Sequence, residues 1–412
     1  MIFRPVSTIK VGIDFASGPL DVGRLAIRDR IIYFEYERSF IERGLEISPL
    51  RLPLQPGLRR FDAALFDGLP GVFNDSLPDG WGRLLFDRAL RVQGLTPAQA
   101  SQLDRLTHVG ASGMGALTYE PAIEADAGKD EIDLDRLAGQ ALDVLEGQAD
   151  EVIGELLLLN ASSAGARPKA MIGYNPETGA MTHGRSDLPE GFQPWLVKFP
   201  NAQDGKDAGA VEYVYALMAR AAGIGMTETH LFPARRGAGF FATRRFDRIG
   251  ERRLHAHTAS GLLHADHRTP SLDYEDLIAL TLRLTRDVRQ AEKMFRLAVF
   301  NVLGHNRDDH AKNFTYLMDE AGNWSLAPAY DLTFSSGPGG EQTTMVKGEG
   351  KAPAGTHLLA VAKEAGLAAK DARAIIDQTR EAFGQWPRLA REHGVTASSI
   401  RLIADRTGSA GR

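Results

Sequence analysis

Residues 303–314, LGHNRDDHAKNF, hold two adjacent carboxylates, two histidines, a lysine and two asparagines. Phosphoryl transfer from a nucleotide needs a carboxylate that accepts the proton of the attacking hydroxyl, and oxygen ligands that hold magnesium on the phosphates. Asn313 follows Asp308 by five positions, a step that lets one loop present both a base and a metal ligand. The adjacent Asp309 competes for the base role, but the five-residue step selects Asp308.

A second metal-binding carboxylate is predicted at Asp331, in the downstream segment LAPAYDLTFSSG. A strand-to-turn segment at this point would bring Asp331 to the magnesium that Asn313 binds. An isolated D-x-x-x-x-N string is also typical of ordinary turns and helix caps. The combination of Asp308, Asn313 and Asp331 favours a nucleotide site over that interpretation.

A cation for the triphosphate is predicted at Lys198, which closes the apolar run PWLVKFP. An ammonium in such a run must be paired or face a ligand, because burying it alone is costly. Glu212, on the next predicted helix, is a candidate partner. A lysine of an edge strand that faces water is the alternative.

A phosphate-binding loop is predicted in LNASSAGARPKAMIGY, where residues 162–166 are small and Arg167 and Lys169 follow before a strand. Small side chains let backbone N–H groups approach phosphate oxygens, and the two cations would strengthen the binding. The Walker A pattern G-x-x-x-x-G-K-[ST] is absent, which argues against the P-loop NTPase class. A solvent-facing turn is the alternative interpretation.

Two other motifs are weaker. HAHTASGLLHADH carries four histidines, but without cysteine or an H-E-x-x-H pattern it does not favour a zinc site. GASGMGAL lacks a preceding strand and an acidic residue at the Rossmann distance, so it predicts a tight turn.

The bulk composition limits the class of protein. A chain of 412 residues is long enough for two or three packed units. A net charge of -5 argues against a chain that coats nucleic acid through its own field. The sequence has no cysteine, no signal-peptide pattern and no long apolar run, so we expect no disulfide, no membrane anchor and a cytoplasmic location.

The supporting elements are predicted from periodicity. Short alternating runs separated by glycine and proline predict strands in the first part of the chain, and the pattern becomes mostly helical after about residue 260. Val288, Ala291, Phe295, Ala298 and Val302 recur at helical spacing. They predict a buried helix that delivers the 303–314 segment at its C-terminal end.

With these residues assembled, the chain resembles the HipA family of serine/threonine protein kinases, the toxins of bacterial type II toxin–antitoxin pairs. The resemblance rests on LPGVFNDSLPDGWGRLL, SSAGARPKA, WLVKFP, RRFDR, DDHAKNF and YDL, and it runs nearly end to end. It implies an α+β, two-lobed protein-kinase-like fold with an additional N-terminal mixed α/β subdomain and a mostly helical C-terminal lobe. We expect the subdomain at residues 1–120, a linker at 121–135, the N-lobe-like part at 136–248 and the helical lobe at 249–412.

The resemblance also assigns roles. It implies that Asp308 is the catalytic base, that Asn313 and Asp331 bind Mg²⁺, and that Ser162 is a site of autophosphorylation. The residues that it places around ATP are Ser163, Ala164, Gly165, Ala166, Arg167, Pro168 and Lys169 of the phosphate loop, Lys198, the hinge residues Arg244, Arg245 and Phe246, and His310, Tyr330 and Asp331.

The biology that the resemblance implies is a growth-arresting kinase neutralised by a small helix-turn-helix antitoxin of the HipB type, which brings it to operator DNA. Protein substrates in the family include an aminoacyl-tRNA synthetase. Two alternatives stay open on the residues alone: a small-molecule kinase with the same nucleotide machinery, and a non-catalytic corepressor module that acts with a DNA-binding antitoxin. The retained set of base, metal ligands and lysine argues against the second.

Overall fold

The computed structural model of the chain describes residues 3–122, 132–147, 153–160, 165–184, 188–201 and 203–409. The chain divides into two compact units. Unit 1 comprises Met1–Asp204, Ala242–His257 and Met318–Gly322, and unit 2 comprises Gly205–Phe241, Thr258–Leu317 and Asn323–Arg412. Within the described ranges, no helix has both the length and the apolar character needed to cross a membrane.

The strands are short, and most of them precede residue 260. They are β1 Thr8–Asp14, β2 Pro19–Arg28, β3 Ile31–Tyr36, β4 Arg59–Arg60, β5 Leu117–Glu120, β6 Lys169–Tyr174, β7 Met181–His183, β8 Gln193–Lys198, β9 Thr229–Phe232, β10 Phe240–Arg244, β11 Arg248–Ile249, β12 Arg252–Arg253, β13 His255–Thr258, β14 Thr315–Met318 and β15 Trp324–Leu326.

The helices are spread along the chain and dominate its last third. They are α1 Arg38–Arg43, α2 Gly71–Asn74, α3 Gly80–Val92, α4 Gln102–Val109, α5 Leu134–Glu146, α6 Ile153–Leu158, α7 Ala208–Ala221, α8 Ala259–Leu263, α9 Tyr274–Thr285, α10 Val288–Leu303, α11 Gly355–Glu364, α12 Ala369–Gly384, α13 Trp386–Glu392 and α14 Ala397–Thr407.

The first sheet of unit 1 has the strand order β4-β3-β2-β1-β5, with antiparallel neighbours throughout. In β1 the apolar residues Ile9, Val11 and Ile13 alternate with less apolar ones and are buried, which gives the sheet one core-facing side. Phe34 of β3 packs against Phe73 in this core, with ring centroids 4.9 Å apart.

The second group of strands in unit 1 presents the predicted lysines. Strands β7, β6, β8 and β10 are hydrogen-bonded in that order, and these pairings are antiparallel. In the β6–β8 register Lys169 lies directly opposite Lys198. Residues directly opposite on antiparallel strands project from the same face of a sheet, so the two lysines share one face.

Unit 2 is mostly helical, and α10 is the helix that the sequence predicts ahead of the 303–314 segment. Ala291, Phe295 and Ala298 are fully buried, as predicted. Val288, however, is 66% exposed, so its predicted place on the buried face is wrong. It is the first residue of the helix, next to the cap in which Asp287 accepts the N–H of Arg289.

An aromatic cluster fixes the C-terminal end of α10. Phe300 and Phe383 have ring centroids 4.8 Å apart, and Tyr215 lies edge-on to both rings. The Tyr215 hydroxyl also donates to the carbonyl of Gly304, at 2.7 Å. A Cβ at Gly304 would collide with the Phe383 ring, so only glycine fits where the chain leaves the helix. The start of the loop is therefore rigidly held.

Candidate active site

The catalytic loop, which we define as residues 304–314, runs from the end of α10 to β14 and treats its two adjacent aspartates differently. Asp308 is exposed, whereas Asp309 is fully buried. The sequence offered both as carboxylates for the base role. Burial separates them, because a base must reach a substrate hydroxyl.

The Asp309 carboxylate is bound inside unit 2 by four donors. These are the Tyr274 hydroxyl at 2.6 Å, the Gln342 amide at 3.0 Å, and the backbone N–H groups of Thr343 and Thr344 at 3.0 and 3.1 Å. Burial nevertheless raises the pKa of Asp309 to about 7, because the lost hydration of the charged form outweighs these hydrogen bonds. Asp309 is an anchor of the loop, and Asp308 stays the predicted base.

A buried polar network extends from this anchor through the core of unit 2. Asn301 donates to the Tyr274 hydroxyl at 2.9 Å, and Asn306 donates to the Asn301 side chain at 3.0 Å. Gln342 reaches the Asn306 carbonyl at 3.3 Å as well as Asp309. The network ties the catalytic loop to α9, to α10 and to residues 342–344. A satisfied buried network of this kind selects one loop conformation.

Tyr330 links the two predicted metal-binding segments, which contain Asn313 and Asp331, by hydrogen bonds. Its hydroxyl donates to the carbonyl of Lys312 at 2.5 Å and lies 2.6 Å from the hydroxyl of Thr315. Lys312 precedes Asn313, and Asp331 follows Tyr330, so this phenol joins the segment of one predicted ligand to that of the other. Strand pairing helps, since the N–H of Ala327 donates to the Thr315 carbonyl at 2.9 Å.

The side-chain oxygens of Asn313 and Asp331 are suitable ligands for a magnesium ion. Asn313 donates its amide N–H to the Asp308 carbonyl at 2.8 Å, which turns its side-chain oxygen away from that carbonyl. Asp331 has a φ of 56°, a left-handed conformation that is uncommon for a residue with a side chain. Strained backbone of this kind is found at functional sites, where surrounding contacts enforce it. Amide and carboxylate oxygens are the ligands that Mg²⁺ prefers.

Two other predicted residues, His310 of the catalytic loop and Glu212 of α7, also belong to unit 2. His310 is half-buried, with its ring 5.5 Å from that of His267. Glu212 is buried on α7. Lys198 belongs to unit 1, so the pairing of Glu212 with Lys198 stays a prediction.

The phosphate loop of unit 1 is described from Gly165 onward, and Ser162, Ser163 and Ala164 lie outside the described residues. Lys169 is only 5% exposed and faces the same side of the sheet as Lys198. The two ammonium groups thus lie on neighbouring strands of one face, where cations of this kind attract an anion. Arg167 forms an ion pair with Asp204 at 3.0 Å.

The predicted hinge places one of its side chains in the interior. Arg245 is buried, and its guanidinium binds both oxygens of Asp247, at 3.0 and 2.7 Å. It also donates to the carbonyl of Gly113 at 2.9 Å. Arg244 lies opposite Trp195 in the β10–β8 register, and Phe246 is half-buried. A nucleotide contact by Arg245 would therefore have to come from its backbone.

Asp247 is a structural residue that the sequence reasoning missed. Arg248 joins Arg245 on its carboxylate, and the N–H of Gly115 donates to it at 2.7 Å. Burial alone would raise the pKa of Asp247, but the two arginines outweigh it and hold that pKa far below its ordinary value. The motif GASGMGAL forms the predicted turn, and its backbone receives these side chains. Only the clustering of arginines in RRFDR could have indicated a buried partner.

The first two histidines of the histidine-rich motif, His255 and His257, are buried in the core of unit 1. His255 contacts the carbonyl of Ile47 at 2.9 Å, and burial lowers the pKa of His255 to about 3. His257 lies between Asp75 at 2.6 Å and Ser48 at 3.0 Å, and it is fully buried. Across the described ranges, no group of three or more metal-ligating side chains of His, Cys, Asp or Glu is present.

Comparison with known proteins gives the family. The HipA N-terminal domain matches residues 16–120, and the HipA-like C-terminal domain matches residues 161–386, which is more than half of the chain. No curated protein sequence matches.

Solved structures that resemble the chain include the following two. The HipA, HipB and operator DNA complex of Shewanella oneidensis MR-1 matches with a TM-score of 0.68 and 16% identity, over 97% of this chain and 95% of that chain. The proinflammatory kinase CtkA of Helicobacter pylori gives a TM-score of 0.35 and 11% identity, over 53% of this chain and 90% of that chain. The predicted α+β, protein-kinase-like fold of the HipA type is confirmed, and the chain belongs to the HipA family.

Proposed function

We propose that the chain is an ATP-dependent serine/threonine protein kinase. The observation that carries this proposal is the Tyr330 hydroxyl, which joins the Asn313 segment to the Asp331 segment beside the exposed Asp308. Family membership and the kinase-like fold agree with it. Fold alone does not specify a reaction, so the proposal depends on this arrangement of side chains.

The reaction assigns one role to each group. The oxygen of the acceptor hydroxyl attacks the γ-phosphorus of ATP, the bond from that phosphorus to the β–γ bridging oxygen breaks, and ADP leaves. Asp308 orients the hydroxyl and takes its proton, as the base of a protein kinase does. Asn313 and Asp331 would hold Mg²⁺, which neutralises charge on the phosphates when bound.

The phosphates themselves would be taken by cations and backbone N–H groups of unit 1. Lys198 and Lys169 project from one face of the β6–β8 pair, and two cations on one face favour a polyanion. The loop of residues 163–169 would add backbone donors, and the hinge of Arg244, Arg245 and Phe246 would line the adenine. His310 and Tyr330 would flank the nucleotide.

The proposed biological role is that of a toxin in a type II toxin–antitoxin pair. The Shewanella structure is a complex of HipA, HipB and operator DNA, which supports a HipB-like antitoxin as the partner here. A net charge of -5 agrees with DNA contact that is made mainly through that partner. For the cellular substrate we propose a protein, with an aminoacyl-tRNA synthetase as the first to test.

Autophosphorylation at Ser162 would silence the enzyme. A phosphate there would add close to two negative charges to a loop that receives the phosphates of ATP, and repulsion would expel the loop. Intact-mass spectrometry of the purified chain incubated with Mg-ATP should show one added phosphate that the Ser162→Ala variant lacks. An unchanged mass in the wild type would remove this part of the proposal.

The kinase proposal is tested by phosphate transfer from radiolabelled ATP into a bacterial protein extract. The wild type should label one or a few protein bands, and Asp308→Asn should label none while it still binds ATP. Label that enters only small molecules would indicate a small-molecule kinase instead. An absence of both transfer and ATP binding in the folded wild type would refute the proposal.

A further inference from the structure

At the N-terminal end of α3, the side chain of Asp79 binds the phosphate loop and does not cap its own helix. Asp79 occupies the N-cap position of α3, where an aspartate ordinarily accepts an N–H of the first helical turn. It makes no such cap. Its carboxylate accepts the backbone N–H of Gly165.

The same end of α3 also forms a hydrogen bond to the carbonyl of Gly165. The backbone N–H of Trp81, one of the first-turn donors that a helix leaves without a partner, donates to that carbonyl at 3.1 Å. Both backbone polar groups of Gly165 are therefore held by residues 79 and 81. These residues are more than eighty positions away from Gly165 along the chain, and all of them lie in unit 1.

Gly80, which lies between Asp79 and Trp81, has to be glycine because the start of α3 approaches the loop backbone closely at this point. Gly80 has a φ of 41°, and a Cβ built on it would lie 2.6 Å from the Cα of Ala166 and 2.6 Å from the carbonyl oxygen of Gly165. Such distances are too short for a side chain, and the atoms that would be hit are backbone. The start of α3 thus lies directly against the loop.

A third contact holds the far end of the loop. The indole N–H of the buried Trp81 donates to the carbonyl of Lys169 at 3.2 Å, and the side-chain amide of Asn160 donates to the same oxygen. The Lys169 ammonium lies close to Gly165, since a Cβ on Gly165 would be 2.6 Å from its Nζ. The contacts thus fix the backbone at both Gly165 and Lys169.

We propose that Asp79, Gly80 and Trp81 form a brace that holds residues 165–169 of the phosphate loop in the conformation that receives the nucleotide. This inference rests on the proposed kinase function. A loop of small residues loses much conformational entropy when it closes on a phosphate, and a loop that is already held loses less. The N-terminal domain thereby sets nucleotide affinity through positioning residues that do not touch the nucleotide themselves.

The test compares Asp79→Ala with Asp79→Asn, which keeps an acceptor oxygen for the Gly165 N–H. Hydrogen exchange of the 165–169 backbone, read by mass spectrometry without nucleotide, reports on the brace itself. Titration with the non-hydrolysable analogue AMP-PNP reports on affinity. Asp79→Ala should exchange faster in this segment and bind the analogue roughly 10-fold more weakly, as expected for loss of a hydrogen bond to a charged group.

In phosphate transfer, the same variant should raise the KM for ATP more than it lowers kcat, because chemistry after binding is unchanged. Asp79→Asn should be close to the wild type in all three measurements. The matched control is Asp287→Ala, which removes an aspartate cap from α10, a helix of unit 2. It should leave loop exchange and analogue affinity unchanged.

A second pair of variants tests the close approach. Gly80→Ala should release the loop, because the new Cβ would collide with its backbone. The control is Gly94→Ala. Gly94 also has a positive φ, of 74°, but open space surrounds it, so this variant introduces backbone strain without a collision. Wild-type exchange and affinity in folded Asp79→Ala and Gly80→Ala would overturn the inference, and so would weaker binding with unchanged exchange. A folded wild type that binds no nucleotide would refute the proposed kinase function. Unchanged hydrogen exchange of residues 165–169 in Asp79→Ala would refute the brace, whatever the nucleotide result.

Discussion

Adjacent carboxylates in the catalytic loop should give opposite phenotypes when each is changed to its amide. In Asp309→Asn, the amide oxygen can still accept the N–H groups of Thr343 and Thr344, but the new NH₂ group then faces the hydroxyl of Tyr274 and the amide of Gln342. Two donor-to-donor contacts replace two hydrogen bonds in a fully buried site.

The magnitude is set by these two lost bonds. Each buried polar group left without a partner costs about 1–3 kcal/mol, and rearrangement of the Tyr274 hydroxyl recovers part of that cost. We expect a loss of about 2–4 kcal/mol in the free energy of unfolding, or about 5–15 °C in Tm for a unit of roughly 200 residues. Asp308→Asn changes an exposed side chain and should stay within about 0.5 kcal/mol of the wild type.

Phosphate-transfer activity should show the reverse order, with Asp308→Asn more strongly affected than Asp309→Asn. Asp308→Asn removes the proposed base and should lower phosphate transfer by about 10² to 10⁴-fold at wild-type stability. Asp309→Asn should keep measurable transfer at temperatures where it remains folded. The assay is thermal unfolding together with transfer from radiolabelled ATP at a temperature below both transitions. Normal stability in Asp309→Asn, or normal transfer in Asp308→Asn, would refute the division of roles.

Three further predictions concern Tyr330, the titration of Asp309, and Asp247. Tyr330→Phe removes the hydroxyl that joins the two metal-binding segments and should lower kcat/KM by about 3- to 30-fold, with a higher magnesium requirement in a Mg²⁺ titration; an unchanged titration would contradict the joining role. The raised pKa of Asp309 means that folding favours its protonated form, so its stabilising contribution is complete below about pH 4 and is lost as the pH rises through about 7. Urea unfolding from pH 4 to pH 8 should therefore show the wild type losing stability relative to Asp309→Asn, and parallel curves would argue against this. Asp247→Asn removes the carboxylate that the buried Arg245 and the half-buried Arg248 share and should cost about 3–5 kcal/mol in urea unfolding. The ion pair of Asp287 with the exposed Arg289 is its control, since Asp287→Asn should leave the urea-unfolding curve close to that of the wild type.

Much of the fold and of the candidate site is predictable from local sequence. Helical spacing predicts α10, and the polar residues that come directly after its last apolar turn define the loop that leaves it. The apolar runs around Lys169 and Lys198 predict two strands, and the structure pairs these strands with the lysines opposite each other. The step from Asp308 to Asn313 identifies the predicted base because both residues lie on one short segment.

Other features depend on residues that no local pattern connects. The sequence cannot separate Asp308 from Asp309 by burial, because the donors that bind Asp309 come from α9 and from residues 342–344. Arg245 has the form of a hinge cation, yet its guanidinium is bound to Asp247 and to the turn at Gly113.

What the sequence determined by itself is which chemical groups this protein carries and the order in which helix, loop and strand present them, since spacing and periodicity act between near neighbours. The tertiary structure alone decided which groups are buried and which distant segments touch. Asp79 meets Gly165 only because folding brings α3 against the loop. Burial and hydrogen bonding depend on the whole set of surrounding atoms, and most of those atoms belong to residues far away in the chain.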